Sequence, residues 1–164
     1  MVPALPSLDG LHPLVVHFPI ALLLVVPLLV LVAALRRGDA TWLAAALLLL
    51  GLGTLGAWLS VESGEAAGQM AERTPAVDAL LEKHESLARA TAASFTALFA
   101  ALAALLAAPK LLRRQLSTLW RVAPLVVYLL AHAGATTLLV QAAHQGGRLV
   151  HEQGVHALMP ADGP

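Results

Sequence analysis

The chain has 164 residues, of which 59% are hydrophobic and 12% are charged, and its ten basic and ten acidic side chains cancel. A soluble domain carries about twice that charged fraction, so the composition favours a membrane protein over a water-soluble fold and excludes a disordered chain and a collagen-like repeat. The zero net charge offers no basic surface for nucleic acid. Because cysteine is absent, thiolate catalysis, iron–sulfur clusters, c-type haem and disulfides are excluded as well.

Four long apolar runs cover about residues 11–35, 40–59, 87–108 and 119–143. Each is close to the roughly 20 residues that span a hydrocarbon core of about 30 Å. Lipid cannot satisfy free backbone groups, so runs of this length are predicted to be helices. Short connections make neighbouring helices antiparallel. The sequence therefore predicts an all-α fold, an integral membrane up-down four-helix transmembrane bundle that forms one domain over residues 1–164.

Basic residues cluster in and near the two short connections, at Arg36, Arg37, Lys110, Arg113, Arg114 and Arg121. The positive-inside rule places these connections in the cytoplasm. We therefore expect a multi-pass protein of the bacterial inner membrane with both termini on the outer, periplasmic side. An outer loop is expected over about residues 60–86, and an outer tail over residues 144–164.

The second half of the outer loop is predicted to be helical. Thr74 is a suitable cap, Pro75 suits the first helical position, and apolar residues recur at helical spacing from Val77 to Leu81. This amphipathic segment is predicted to run directly into the third span. His84 continues its apolar face and is expected at the outer membrane surface.

Histidine carries most of the functional information in this sequence. The seven histidines occupy positions 12, 17, 84, 132, 144, 151 and 156, and under the predicted topology none lies clearly in the cytoplasmic half. His17 and His132 fall inside spans, His132 near the midplane, whereas His12, His84 and His144 form a shallower outer tier. Polar residues at membrane depth are candidates for function.

Three interpretations of the deep pair stay open. A helical bundle holds b-type haem between imidazoles of facing helices, and the same side chains are ligands for other metals. Alternatively, His17 and His132 only hydrogen-bond to a backbone carbonyl or to a polar side chain of the fourth span, Thr136, Thr137 or Gln141.

Two further patterns are not interpreted as sites. Residues 51–56 have the glycine spacing of a dinucleotide fingerprint, but no strand precedes them, and small residues at this spacing let membrane helices approach closely. Residues 151–156 resemble a zinc-protease motif, yet His156 comes one residue too late to share a helical face with His151. No acid–base pair or nucleophile stands out, so we do not expect an enzyme.

Three segments resemble a known family. They are LHPLVVHFPIAL at residues 11–22, HESL at residues 84–87 and AHQGGRLVH at residues 143–151, and together they resemble DUF2231, a family of small, mostly four-span bacterial membrane proteins. The resemblance implies an integral membrane protein, often found beside or fused to cytochrome c-like modules. It carries over to His12, Pro13, His17, Pro19, His84, His144, Gly146 and Gly147, while His132 has no place in the family pattern.

These observations lead us to expect a redox membrane protein. One or two b-type haems would be held towards the outer face by histidines drawn from His17, His132, His84, His144 and His12, and electrons would pass between the quinone pool and a periplasmic cytochrome or larger redox complex. One alternative is a non-catalytic accessory or anchor subunit. Another is an outer-face site for a divalent metal, which needs acidic ligands from residues 62–85 beside the histidines.

Overall fold

The computed structural model describes residues 8–111, 113 and 117–155. Within these residues the regular elements are helices: α1 (Leu8–Val15), α2 (His17–Leu35), α3 (Ala40–Gln69), α4 (Pro75–Leu111) and α5 (Thr118–His151). Four stretches of the described chain are long and apolar enough to cross a membrane, namely His12–Leu35, Ala40–Gln69, Pro75–Pro109 and Thr118–His151. The predicted all-α, four-span fold is confirmed. Of the residues discussed above, Arg114 and His156 lie outside the described residues.

The four spans form a closed ring. α3 packs between α2 and α4, α5 packs against α4 and returns to α2, and α1 lies mainly against α3. The up-down order of the spans gives the bundle two distinct ends. We call the end with the α2–α3 turn at residues 36–39, the end of α4 and the start of α5 the arginine end. The opposite end, with α1, the α3–α4 connection and the last turns of α5, is the histidine end.

The bundle presents its apolar side chains outwards, as a protein dissolved in lipid does. On α5, Leu130 is 71% exposed, whereas His132, two residues further on, is 1% exposed. The core between the helices is formed by close-packed side chains that include Leu23, Phe95 and Leu102, each with no exposed surface. Because lipid is as apolar as leucine, packing and hydrogen bonds inside the ring, rather than burial from water, hold the spans together.

The break between α1 and α2 comes from a proline. Pro19 has no N–H to donate to the carbonyl of Val15, four residues earlier, and its ring crowds that carbonyl. Val16 keeps helical backbone angles, with φ of −60° and ψ of −32°, and its N–H donates to the carbonyl of His12 at 3.1 Å. α1 packs mainly on α3, which brings His12 onto the bundle.

The connection at the arginine end of α2 is a tight, capped turn. Arg37 and Gly38 both have left-handed backbone conformations, with φ of 61° and 80°, which is how many helices end. The next helix starts with Asp39, whose Oδ1 accepts a hydrogen bond of 2.8 Å from the N–H of Thr41. The turn makes α2 and α3 antiparallel.

At the histidine end, most of the predicted outer loop is helical. α3 continues to Gln69 and α4 begins at Pro75, which leaves residues 70–74 between them. The prediction of a helical second half is confirmed, because the Thr74 hydroxyl accepts a hydrogen bond of 3.2 Å from the N–H of Val77 and α4 runs unbroken into the third span. The tail expected from residue 144 is likewise helical to His151.

Two glycines of α3 allow α2 to lie very close. A Cβ added at Gly53 would be 2.9 Å from Cγ and Cδ2 of Leu23, and one added at Gly56 would be 3.2 Å from Cβ of Pro19. Both glycines are buried. The interpretation of residues 51–56 as a helix-packing surface is therefore confirmed.

We expect Gly53→Ala to destabilise the bundle by about 1–3 kcal/mol, because Leu23 and the α2 backbone must move away. The matched control is Gly134→Ala, since a Cβ at Gly134 meets nothing within 4 Å. Unfolding of the two purified variants in detergent measures the difference. Equal stability of the two variants would contradict the close approach.

Candidate functional site

A small cavity with a few polar side chains in its wall lies at the histidine end, among all five helices. It has a volume of about 80 Å³. Water occupies about 30 Å³ per molecule in the liquid, so the cavity is of a size for an ion with one or two waters. Most of its wall is apolar, and its polar side chains are His12, Ser60, Glu65, His84, Glu85 and Thr91.

His12 reaches this cavity from α1 and is oriented by α3. Its Nδ1 lies 3.2 Å from the Ser63 hydroxyl oxygen, and that hydroxyl donates its only hydrogen to the carbonyl of Ser60 at 3.3 Å. Ser63 must therefore accept from His12, so the hydrogen-bond network assigns the ring proton to Nδ1. The lone pair of the neutral ring is then on Nε2.

His84 reaches the cavity from α4 and is oriented by α5. Its Nδ1 donates a hydrogen bond of 2.9 Å to the backbone carbonyl of Ala142, because a carbonyl oxygen only accepts. The lone pair of neutral His84 is therefore also on Nε2. A backbone carbonyl that holds the N–H of one ring nitrogen is the usual support for a histidine that binds metal through the other.

Both imidazoles occupy space that a glycine leaves open. A Cβ added at Gly64 would be 2.9 Å from Cε1 of His12, and one added at Gly146 would be 3.0 Å from Cε1 of His84. The two rings are nearly perpendicular, at 87°, with centroids 6.4 Å apart. Two histidines from different helices thus meet at one end of the bundle.

Two glutamates line the same cavity, as a divalent-metal site at this end would need. Glu65 is partly buried and forms an ion pair of 2.7 Å with Arg89, while Glu85 follows His84 on α4 and is also partly buried. Within the described part of the chain, no three histidine, aspartate or glutamate side chains are already close enough together to hold a metal ion. The site therefore consists of two oriented imidazoles with carboxylates nearby.

His132 lies deeper, in the core, and its position is explained by a proline on another helix. In an unbroken helix the carbonyl of Leu23 would accept from the N–H of residue 27, but residue 27 is proline. Nε2 of His132 donates to this carbonyl instead, at 3.0 Å. His132 thus completes the hydrogen bonding of α2 and joins α2 to α5.

The surroundings of His132 are aromatic. Its ring contacts Phe95 edge-on, with centroids 5.3 Å apart, and is tilted against Tyr128 at 5.9 Å. Three side-chain atoms in the described core have no hydrogen-bond partner: Nδ1 of His132, Oη of Tyr128 and Oγ1 of Thr54. Since Nε2 of His132 is already bound to Leu23, a metal could reach this ring only through Nδ1.

The remaining candidate histidines are exposed and stand apart from the cavity. His17 is on the bundle surface, and its Nδ1 donates to the carbonyl of Pro13 at 2.9 Å. His144 is exposed on α5 and does not line the cavity. Directly after His151, the hydrogen bond from Arg148 holds the pKa of Glu152 below its usual range, although desolvation opposes this and the charges of Arg148 and His144 add to it.

The structure thus divides the predicted site residues. It brings together His12 and His84, leaves His17 and His144 outside, and gives His132 a carbonyl partner. Sequence reasoning did not single out Ser63 or Gly64, which orient and accommodate His12. One signal for them was present, because serine and glycine at the polar end of an apolar helix leave room for a neighbouring side chain.

A family model described as a predicted membrane protein, DUF2231, matches residues 8–158 of the chain. No curated protein and no solved structure matches it. The match covers α1 to α5 and both imidazoles of the cavity.

The hydrogen bond of His132 predicts an energetic coupling to Pro27. His132→Phe removes the donor to the Leu23 carbonyl, which costs about 1–3 kcal/mol if the carbonyl stays unpaired. In a Pro27→Ala background the restored N–H of residue 27 takes over this carbonyl. We therefore expect His132→Phe to cost about 1 kcal/mol less in that background than in the wild type.

A double-mutant cycle on the unfolding free energy in detergent measures this coupling. His144→Phe is the control, because this exposed histidine of the same helix has no contact with Leu23, and its effect should be the same in both backgrounds. A coupling near zero between positions 27 and 132 would show that the proline and the histidine are unrelated.

Proposed function

Because the chain belongs to the DUF2231 family of predicted membrane proteins, we propose that it is a membrane protein that binds a divalent transition-metal ion at the histidine end of its bundle. The observation that carries the proposal is the pair of imidazoles, His12 and His84, each held by a hydrogen bond at Nδ1 and placed on one cavity. Imidazole is a good ligand for Zn²⁺, Cu²⁺, Ni²⁺ and Fe²⁺.

The rings are close enough to share an ion after a small movement. Metal–nitrogen bonds to histidine are about 2 Å long, so rings that share one tetrahedral ion have centroids about 5 Å apart. The centroids of His12 and His84 are 6.4 Å apart, so ligation requires the rings to approach by roughly 1 Å. Binding through Nε2 keeps the hydrogen bonds to Ser63 and Ala142, so the ligands are oriented before the ion arrives.

Carboxylates complete the proposed coordination. Glu85 lines the cavity and takes part in none of the ion pairs between described side chains. Rotation of its side chain would therefore bring a negatively charged oxygen ligand to the ion without breaking an ion pair. Glu65 would first have to leave Arg89. Two imidazoles, one carboxylate and one water are a common four-coordinate set for Zn²⁺.

Haem b is the second candidate, and the same imidazole pair supports it. Two histidines from facing helices are a ligand set for haem iron in a bundle, and a haem would give the protein its expected role between the quinone pool and a periplasmic cytochrome. Glu65 and Glu85 line the same cavity, and carboxylates beside imidazoles suit a divalent ion. We therefore rank a single metal ion first.

The proposal includes an orientation. The described arginines 36, 37, 113 and 121 all lie at one end of the bundle, and the positive-inside rule places that end in the cytoplasm of a bacterial inner membrane. The metal site would then face the periplasm. An accessory subunit that only anchors a larger complex would share this topology but would bind no metal at the cavity.

We expect the wild-type protein to retain about one Co²⁺ or Zn²⁺ per chain, and His84→Ala and His12→Ala each to lose it, because one imidazole remains. His144→Ala is the matched control and should keep the metal. Elemental analysis after dialysis measures the stoichiometry, and the visible spectrum of the Co²⁺ form reports the ligand field.

The results of this experiment distinguish a metal ion from haem b and from an accessory subunit. A haem spectrum in protein produced with ample haem, lost in the same two variants, would replace the metal ion by haem b. Absence of both metal and haem from the wild type would remove the binding function and leave the accessory-subunit alternative. Loss of metal in His144→Ala as well would move the site away from the cavity.

The glycine beside His84 provides an independent prediction. Gly146→Ala places a methyl group 3.0 Å from Cε1 of His84, so the ring must shift, and we expect metal affinity to fall about tenfold, as when a supporting group is altered. Gly147→Ala is the control, because a Cβ there meets nothing within 4 Å. Titration with Zn²⁺ measures both affinities, and equal values would argue against ligation by His84.

A further inference from the structure

A second, larger cavity lies at the arginine end, between the start of α3, the end of α4 and the start of α5. Its volume is about 210 Å³, room for about seven groups of the size of a water molecule. The described residues that line it are mostly apolar, and they include Leu43, Leu106, Ala108, Trp120 and Arg121. Arg121 is the charged side chain among the described residues of this wall.

The surroundings of this cavity carry an excess of positive charge. Among the side chains that the structure describes at this end, those of Arg36, Arg37, Arg113 and Arg121 are basic and that of Asp39 is acidic. The Asp39 carboxylate already caps α3. The ion pairs between described residues involve Arg73, Arg89 and Arg148, which are at the histidine end. The arginines around the cavity thus lack a carboxylate counter-ion among the described side chains.

The fold brings these arginines together. Gly38 lies so close to α5 that an added Cβ would be 2.9 Å from Cβ of Arg121, which places Arg121 beside the turn that carries Arg36 and Arg37. Arg36 lies over the ring of Trp42, at 5.6 Å from its centroid. Trp120 is 69% exposed at the cavity, and tryptophan favours the headgroup level of a bilayer.

We propose that this cavity binds an anionic phospholipid. Arg121 and the arginines of the α2–α3 turn take the negatively charged headgroup, and part of an acyl chain occupies the apolar space between α3, α4 and α5. The positive charge of these arginines favours an anionic lipid over a zwitterionic one, since basic pockets between membrane helices bind anionic headgroups. The level of the cavity, marked by Trp120, is the depth at which a lipid joins its headgroup to its chains.

Native mass spectrometry of the full chain tests this proposal. The protein is released from bilayers of equal parts phosphatidylglycerol and phosphatidylcholine with identical acyl chains, and the retained lipids are counted. We expect phosphatidylglycerol to be retained in preference by at least about fivefold, the contribution of one basic residue near an anionic headgroup. Arg121→Gln should reduce this preference about fivefold, whereas the control Arg73→Gln, at the histidine end, should leave it unchanged.

A second variant tests the apolar part of the site. Ala108→Leu fills the cavity without removing an arginine, and we expect it to abolish retention of the bound lipid while its helicity stays that of the wild type. The proposal is overturned if the wild type shows no preference between the two lipids, or if Arg73→Gln lowers the preference as much as Arg121→Gln. Unchanged retention in Ala108→Leu would also overturn it.

Discussion

The requirement that every backbone carbonyl inside a bilayer be satisfied governs the ring of spans, and the hydrogen bond from His132 to the carbonyl of Leu23 meets it where α5 contacts α2. Inside a bilayer no water is present to satisfy a backbone carbonyl, and an unpaired one is costly. Pro27 creates such a carbonyl in α2, and His132 of α5 satisfies it. The bond joins the first span to the last, so the proline and the histidine together close the ring and fix the depth of α5 against α2.

Each buried imidazole N–H needs a hydrogen-bond acceptor, and the histidines use different ring nitrogens to find one. His132 uses Nε2 for a carbonyl in the core and so joins two spans. His12 and His84 each donate a hydrogen bond from Nδ1 to a supporting partner, so the lone pair of each neutral ring is on Nε2. Glycines on the neighbouring helices make room for both rings. Structural and proposed binding functions are thus separated by depth in one bundle.

Much of the fold could be predicted because lipid restricts it so strongly. Apolar runs of span length, the Thr74 cap and the small residues on α3 each have a local physical meaning, and each was confirmed. The length of α3 was not predictable from hydropathy, since Ser60 to Gln69 is polar yet still helical. The meeting of His12 with His84 depends on which helices are neighbours and on the break before Pro19, so spacing along the sequence could not reveal it. Pro27 indicates that the carbonyl of Leu23 needs another donor, but His132 can be identified as that donor only when α2 and α5 are known to be in contact.

His12 and His84 are proposed to share one ion at the histidine end. X-ray absorption at the metal edge of the Co²⁺-loaded wild-type protein tests it most directly, because scattering from imidazole rings counts the histidine ligands. We expect two imidazoles with metal–nitrogen distances of about 2 Å, and oxygen in the other positions. A first shell of oxygen alone, or one imidazole that survives in the His84→Ala and His12→Ala double variant, would contradict it.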